Sequence, residues 1–86
     1  MWELRKTGDE NFLKTSAEVG WVEFNESGMF KEKHDTPKIA TSLLMSPFNV
    51  YFTWQTTLVK EIISVSEERI HFRTENSEYE LRFTGV

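Results

Sequence analysis

The chain has 86 residues, of which 38% are apolar and 28% charged, and its formal net charge at pH 7 is −4. A chain of this length has room for one hydrophobic core, so we expect a single domain spanning residues 1–86. The sequence contains no cysteine, which excludes disulfides, thiolate catalysis and cysteine-based metal sites. The excess of acidic residues argues against binding to nucleic acid, whose phosphates favour a basic surface.

Two β-hairpins are predicted in the first part of the chain. Trp2–Lys6 and Phe12–Ser16 read as two strands separated by a short polar stretch. Trp21–Asn25 and Met29–Lys33 flank Glu26-Ser27-Gly28, a three-residue loop with glycine where a left-handed conformation is needed. The predicted cross-strand pairs of this second hairpin are Phe24 with Phe30 and Glu23 with Lys31.

The middle of the chain contains one ambiguous segment and one clear strand. Thr36-Pro37 resembles a helix N-terminus, and the apolar residues after it match helical spacing, which favours a short helix over residues 37–45. The residues Ile39, Thr41, Leu43 and Met45 also match the period of two that is typical of a strand, which favours a strand instead. Val50–Thr57 is β-branched and aromatic and predicts a strand.

The C-terminal third predicts a three-stranded meander made of Leu58–Val65, Arg69–Thr74 and Tyr79–Phe83. In the last two segments apolar positions alternate with charged ones, which is the pattern of half-buried strands. The register that opposes unlike charges on the outer face pairs Phe72 with Leu81, Ile70 with Phe83, Thr74 with Tyr79 and Arg73 with Glu80. Pairing Val65 with Ile70 and Ile63 with Phe72 then places Glu61 on the apolar inner face.

Together these segments predict a mainly β fold of about seven short strands arranged in hairpins. We expect a small antiparallel barrel or a rolled sheet, SH3-like or OB-like in shape, with residues 37–45 as the one candidate helix. Seven Phe, three Trp and two Tyr can each bury roughly 150–250 Å², which allows a dense core in a short chain.

Ile39–Val59 is a run of 21 residues without a charge. Nine of them are Ser, Thr, Asn, Gln or Pro, so the run does not fit a membrane span. Either it forms central elements covered on both sides, or it exposes one face to a partner or a second copy. For the second interpretation the candidate contact surface is Tyr51, Thr53 and Gln55 with Trp54 beside them, because tyrosine tolerates water at its rim.

The chemistry-bearing residues form no recognised catalytic or metal-binding motif. If Glu61 is buried on the inner face, its pKa rises and it becomes a candidate acid or base. A bulge near Lys60 would instead turn it to the outer face. The two histidines, His34 and His71, have no spacing relation that indicates a metal site. We therefore expect no catalytic residue, no bound metal and no cofactor.

These observations favour a small non-enzymatic β module that acts through protein–protein interaction or self-association. Its expected partner is another protein or a second copy of the chain, with no membrane contact. The lack of disulfides and the absence of an apolar signal-peptide run in Met1–Asn11 favour the cytoplasm.

Two alternatives belong to other classes of protein. One is a nucleic-acid-binding β-barrel that stacks bases on an aromatic face formed by Tyr51, Phe52 and Trp54. Such proteins usually have a basic groove, whereas no Lys or Arg lies between Lys38 and Lys60. The other is an enzyme that uses Glu61 as its acid or base, and it depends on Glu61 facing inward.

Overall fold

The computed structural model describes residues 1–45 and 54–85, with Trp54 described by its backbone alone. Within these residues the chain forms nine strands and no helix. The strands are β1 (Trp2–Lys6), β2 (Asp9–Ser16), β3 (Val19–Phe24), β4 (Phe30–His34), β5 (Thr41–Met45), β6 (Trp54–Gln55), β7 (Val59–Val65), β8 (Arg69–Thr74) and β9 (Glu78–Phe83). They pair antiparallel into a five-stranded sheet, β2-β1-β9-β8-β7, and a four-stranded sheet, β4-β3-β5-β6.

The hydrophobic core lies where the two sheets meet. Trp21 of β3 meets Phe72 of β8 edge to face, with ring centroids 5.1 Å apart. Phe72 stacks on Tyr79 of β9 at 5.5 Å, and Tyr79 contacts Phe12 of β2 at 5.7 Å. This series of rings connects the four-stranded sheet to the far edge of the five-stranded one. The buried cluster comprises Leu4, Trp21, Leu43, Met45, Val59, Ile70, Phe72, Tyr79 and Leu81.

Residues 37–45 contain a strand, so the strand interpretation is confirmed and the helical one is wrong. A turn at Ile39 and Ala40 leads into β5, which lies between β3 and β6 in the sheet. Leu43 opposite Trp21 faces the core, and Ser42 opposite Val22 is buried on the other face. A strand covered on both faces is apolar at successive positions, which is why its spacing also matched a helix.

Both N-terminal hairpins are confirmed, with differences at their turns. The first turns at Thr7 and Gly8, and Gly8 has a φ of +85°, so β2 begins earlier than predicted. In the second, Phe24 pairs with Phe30 as expected. A bulge beside that pair sets Glu23 opposite Glu32 in place of Lys31, although the Lys31 ammonium still reaches the Glu23 carboxylate at 3.0 Å.

The β8–β9 register differs by two residues from the predicted one. The observed pairs are Ile70 with Leu81, Phe72 with Tyr79, His71 with Glu80 and Arg73 with Glu78. A shift of two residues keeps every side chain on its predicted face. It again sets Arg73 opposite a glutamate, but it also sets Arg69 opposite Arg82, so charge pairing does not account for the observed register. The observed one stacks Phe72 on Tyr79 and shortens the loop to residues 75–77, closed by a 2.8 Å bond from the Thr74 N–H to the Ser77 carbonyl.

The hydrogen-bonded strand pairs of residues 1–45 and 54–85 leave two separate sheets and do not close a barrel. The small all-β domain is confirmed, whereas the SH3-like or OB-like assignment stays a prediction. In the same residues no helix has the length and apolar character needed to cross a membrane.

Candidate functional site

A groove opens at one end of the four-stranded sheet, where the β3–β4 turn approaches the start of β5 and the chain after β6. Its volume is about 520 Å³, and its exposed lining is mainly apolar. We call it the hairpin groove. The residues that line it are Phe24, Asn25, Glu26, Gly28, Ala40, Gln55 and Leu58.

Asn25 holds the turn that forms one wall of the hairpin groove. Its side-chain Oδ1 accepts hydrogen bonds from the backbone N–H groups of Ser27 and Met29, at 2.9 and 3.0 Å. Its own N–H donates to the Met29 carbonyl at 2.8 Å, and its carbonyl accepts from Gly28 at 2.9 Å. Gly28 has a φ of +80°, which glycine adopts without steric cost, as the sequence predicted.

Ala40 forms the opposite wall and has the left-handed φ of 67°. Its N–H donates to the Val59 carbonyl at 2.9 Å, which brings Ala40 close to Leu58. The pairing of Glu23 with Thr41 places Ala40 across from Phe24 at the end of the β3–β5 ladder. Three segments that are distant in sequence thus meet at this groove.

Four large apolar side chains are exposed on the described segments around the groove. Their exposed fractions are 67% for Met29, 64% for Phe30, 53% for Ile39 and 39% for Leu58. Phe30 pairs with Phe24, and Ile39 adjoins Ala40. Single exposed apolar residues are ordinary on a soluble protein, whereas a group of them around an apolar groove is typical of a contact surface.

The structure places one of the predicted contact residues on the groove. Gln55 is exposed and lines it, and its backbone pairs with Leu44 of β5. The backbone of Trp54 pairs with Met45. Tyr51 and Thr53 lie outside the described residues, as does Phe52 of the proposed base-stacking face, so the contact face around them and the nucleic-acid alternative stay predictions.

The described residues of the uncharged run Ile39–Val59 include both buried and exposed side chains, so each of the two interpretations fits part of the run. Thr41 and Leu43 of β5 are fully buried, as expected for a central element. Thr56 is buried as well, and its hydroxyl accepts a hydrogen bond from the Leu43 N–H at 3.1 Å. By contrast, Ile39 and Leu58 near the ends of the run are exposed. Leu58 lines the hairpin groove, and Ile39 adjoins Ala40 on the opposite wall.

A charged network surrounds Glu23 beside the β3–β4 ladder. The Glu23 carboxylate lies 2.9 Å from His34 Nε2, 3.0 Å from Lys31 Nζ and 3.7 Å from Lys38 Nζ. Hydrogen bonds from His34 and then from Lys31 lower the pKa of Glu23 from 4.5 to about 2. The same carboxylate raises the pKa of Lys31. The predicted pairing of Glu23 with Lys31 indicated one of these contacts, whereas nothing in the sequence pattern indicated that His34 and Lys38 also meet Glu23.

Glu23, Glu32 and His34 each bring one potential ligand atom within 4.8 Å of the others. Imidazole and carboxylate are a donor set that divalent metals accept. The Lys31 and Lys38 ammonium groups already lie against the Glu23 carboxylate, however, and a cation would have to displace them. The cluster is accounted for as an ion-pair network, and we assign no metal to it.

Glu61 lies on the outer face, so the inner-face position expected from the simple register is wrong. Val65 pairs with Ile70 as predicted, but an irregularity between Ile62 and Ser64 then sets Ile62 opposite Phe72 and Glu61 opposite Arg73. A second irregularity, between Val59 and Glu61, lies where the alternative placed its bulge near Lys60. The Glu61 side chain is 56% exposed, and its carboxylate accepts a hydrogen bond from Arg73 Nε at 3.2 Å. This position removes the observation on which the enzyme hypothesis depended.

His71 also lies on the outer face of the five-stranded sheet, and its Nε2 is 2.8 Å from a Glu78 carboxylate oxygen. This hydrogen bond is the main cause that lowers the pKa of Glu78. Glu3 and Arg5 form another ion pair there, at 2.8 Å. The outer face is therefore charged and solvent-facing, as predicted.

The polar residues on the hairpin groove do not form a catalytic set. Asn25 is engaged in the turn, and Glu26 and Gln55 have no acid, base or nucleophile beside them in the described lining.

Comparison with protein-family models, curated protein sequences and solved structures finds no match to this chain.

Proposed function

We propose that this protein is a small non-enzymatic β domain that acts by binding another protein chain through the hairpin groove. The observation that carries the proposal is the group of exposed apolar side chains around the groove, Met29, Phe30, Ile39 and Leu58. Covering them removes apolar surface from water, which contributes about 25 cal/mol for each Å² buried.

The position of these side chains favours a protein over a small molecule as the partner. Met29, Phe30 and Ile39 lie outside the groove lining, so a ligand that filled only the groove would leave them exposed to water. A protein surface extends far enough to cover the groove and its surroundings together. A second copy of the chain would also be a protein partner. Self-association is therefore measured separately from the capture of other proteins.

The test compares two double variants that remove equally exposed apolar side chains. Ile39→Ser with Leu58→Ser changes the groove, whereas Leu13→Ser with Ile63→Ser changes the five-stranded sheet, where Leu13 is 47% and Ile63 44% exposed. Light scattering measures self-association, and quantitative capture from the cells that produce the protein measures other partners. Circular dichroism verifies that each variant is folded.

We expect the groove variant to weaken association at least tenfold, because a central apolar contact typically contributes about 1–2 kcal/mol. The control variant should associate like the wild type. Equal association by both variants would contradict the proposal. The proposal would also be contradicted if the wild-type chain stayed monomeric and captured only the proteins that the groove variant captures.

A further inference from the structure

A second cavity, of about 310 Å³, lies beside the turn between β7 and β8. Its lining residues are Ser66, Glu68, Arg69, Arg82 and Phe83. It shares none of them with the hairpin groove, and it lies near the end of β7, whereas Leu58 precedes the start of that strand. A ligand bound in this second cavity would therefore be independent of a partner bound at the hairpin groove.

Two arginines face each other directly across the β8–β9 ladder at this cavity, Arg69 and Arg82. The Phe83 N–H donates to the Glu68 carbonyl at 2.7 Å, so the neighbouring Arg69–Arg82 pair is of the non-hydrogen-bonded kind. In such pairs the Cα atoms are only about 4.5 Å apart and the side chains approach most closely. Like charges directly opposite each other destabilise a sheet.

The surrounding carboxylates compensate this repulsion only in part. Arg69 Nε lies 3.6 Å from a Glu80 oxygen, with the Arg69 side chain 51% exposed. Glu3 is the other residue opposite Arg82, but its carboxylate accepts a hydrogen bond from Arg5 at 2.8 Å. Among the ion pairs of the described residues none includes Arg82.

We infer that Arg69 and Arg82 bind a phosphate group, inorganic or as a phosphomonoester, in this cavity. Guanidinium groups present forked donors that match phosphate oxygens, and a charge of about −1.5 to −2 offsets the two positive charges that face each other. The volume lies at the lower end of the range for small-molecule sites. The Glu68 carboxylate on the same lining limits the affinity.

The test is an NMR titration of the whole chain with inorganic phosphate at constant ionic strength, so that general screening does not change. We expect saturable shifts confined to the backbone amides of residues 66–69 and 82–83. Arg82→Ala should weaken binding at least tenfold, and Arg82→Lys should weaken it as well because the forked donor is lost. Glu68→Gln should strengthen binding. Parallel titrations with adenosine monophosphate and a phosphoserine tripeptide distinguish a nucleotide from a phosphorylated protein as the source.

Arg73→Ala is the matched control, because Arg73 lies on the same face of β8 and pairs with Glu61. We expect it to bind phosphate like the wild type. Shifts that never saturate with any of the three probes would overturn the inference. An equal loss of affinity in Arg73→Ala and Arg82→Ala would also overturn it, because the effect would then follow net charge alone.

Discussion

Glu23 combines three charged contacts in one carboxylate, with His34, Lys31 and Lys38. Its pKa is about 2 in the folded protein, below the ordinary value of about 4.3–4.5 that applies to an unfolded chain. A carboxyl group with a lowered folded pKa stabilises the fold fully above the unfolded pKa. That contribution is lost as the pH falls from about 4.5 to about 2.

We predict that Glu23→Gln lowers the free energy of unfolding at pH 7 and flattens its decline between pH 4.5 and 2, because the ionised carboxylate is gone. Urea denaturation at a series of pH values measures both effects. The control is Glu67→Gln, an exposed turn residue outside the ion pairs of the described residues. Parallel pH profiles for wild type and Glu23→Gln would be inconsistent with the role given to Glu23.

The connection from β4 to β5 contains Ala40 in a left-handed conformation. In this conformation a residue with a Cβ atom loses about 1–2 kcal/mol of stability. Glycine avoids that loss, but it lowers the free energy of unfolding by about 0.5–1 kcal/mol because its unfolded chain is more flexible. We therefore predict that Ala40→Gly raises the free energy of unfolding by about 0.5 kcal/mol, measured by urea denaturation. Ala17→Gly, at an exposed bend without a positive φ, should lower it by a similar amount. A loss of stability in Ala40→Gly would show that its conformation is not strained.

At the scale of strands, alternation predicted the element types and the faces, but not every partner. Phe24 opposite Phe30 followed from the short loop with Gly28, since loop length fixes a hairpin register. In β8–β9 the predicted and the observed register share the same apolar face, and both set Arg73 opposite a glutamate. The stacking of Phe72 on Tyr79 was therefore not visible in the pattern. The irregularity between Ile62 and Ser64, which turns Glu61 outward, also leaves no signal in a period-2 pattern.

The candidate site was predictable only through its local parts. Gln55 was predicted as a contact residue from the uncharged run. The turn at Gly28 was predicted from the three-residue loop that contains it. The meeting of Phe24, Ala40 and Leu58 depends on the pairing of β3 with β5 and on the Ala40–Val59 hydrogen bond. Such contacts between distant segments follow from strand order, which a single sequence does not specify.

The hairpin groove and the ion-paired outer face lie on different sheets of the described structure. The four-stranded sheet ends in the hairpin groove with its exposed apolar side chains, whereas the outer face of the five-stranded sheet has ion pairs such as His71 with Glu78 and Arg73 with Glu61. Charged outer faces keep a β domain soluble and discourage pairing of sheet edges. The apolar groove is the surface best suited to hold a protein partner.

Site-specific photo-crosslinking from the groove tests this claim most directly. A photoreactive phenylalanine analogue replaces Gln55, and the cells that produce the protein are irradiated. We predict a covalent adduct with one protein, a second copy of this chain included, that disappears when Ile39→Ser and Leu58→Ser are added. The same analogue at Leu13 should give no such adduct. No adduct from position 55, or an identical adduct from position 13, would contradict the groove as the binding surface.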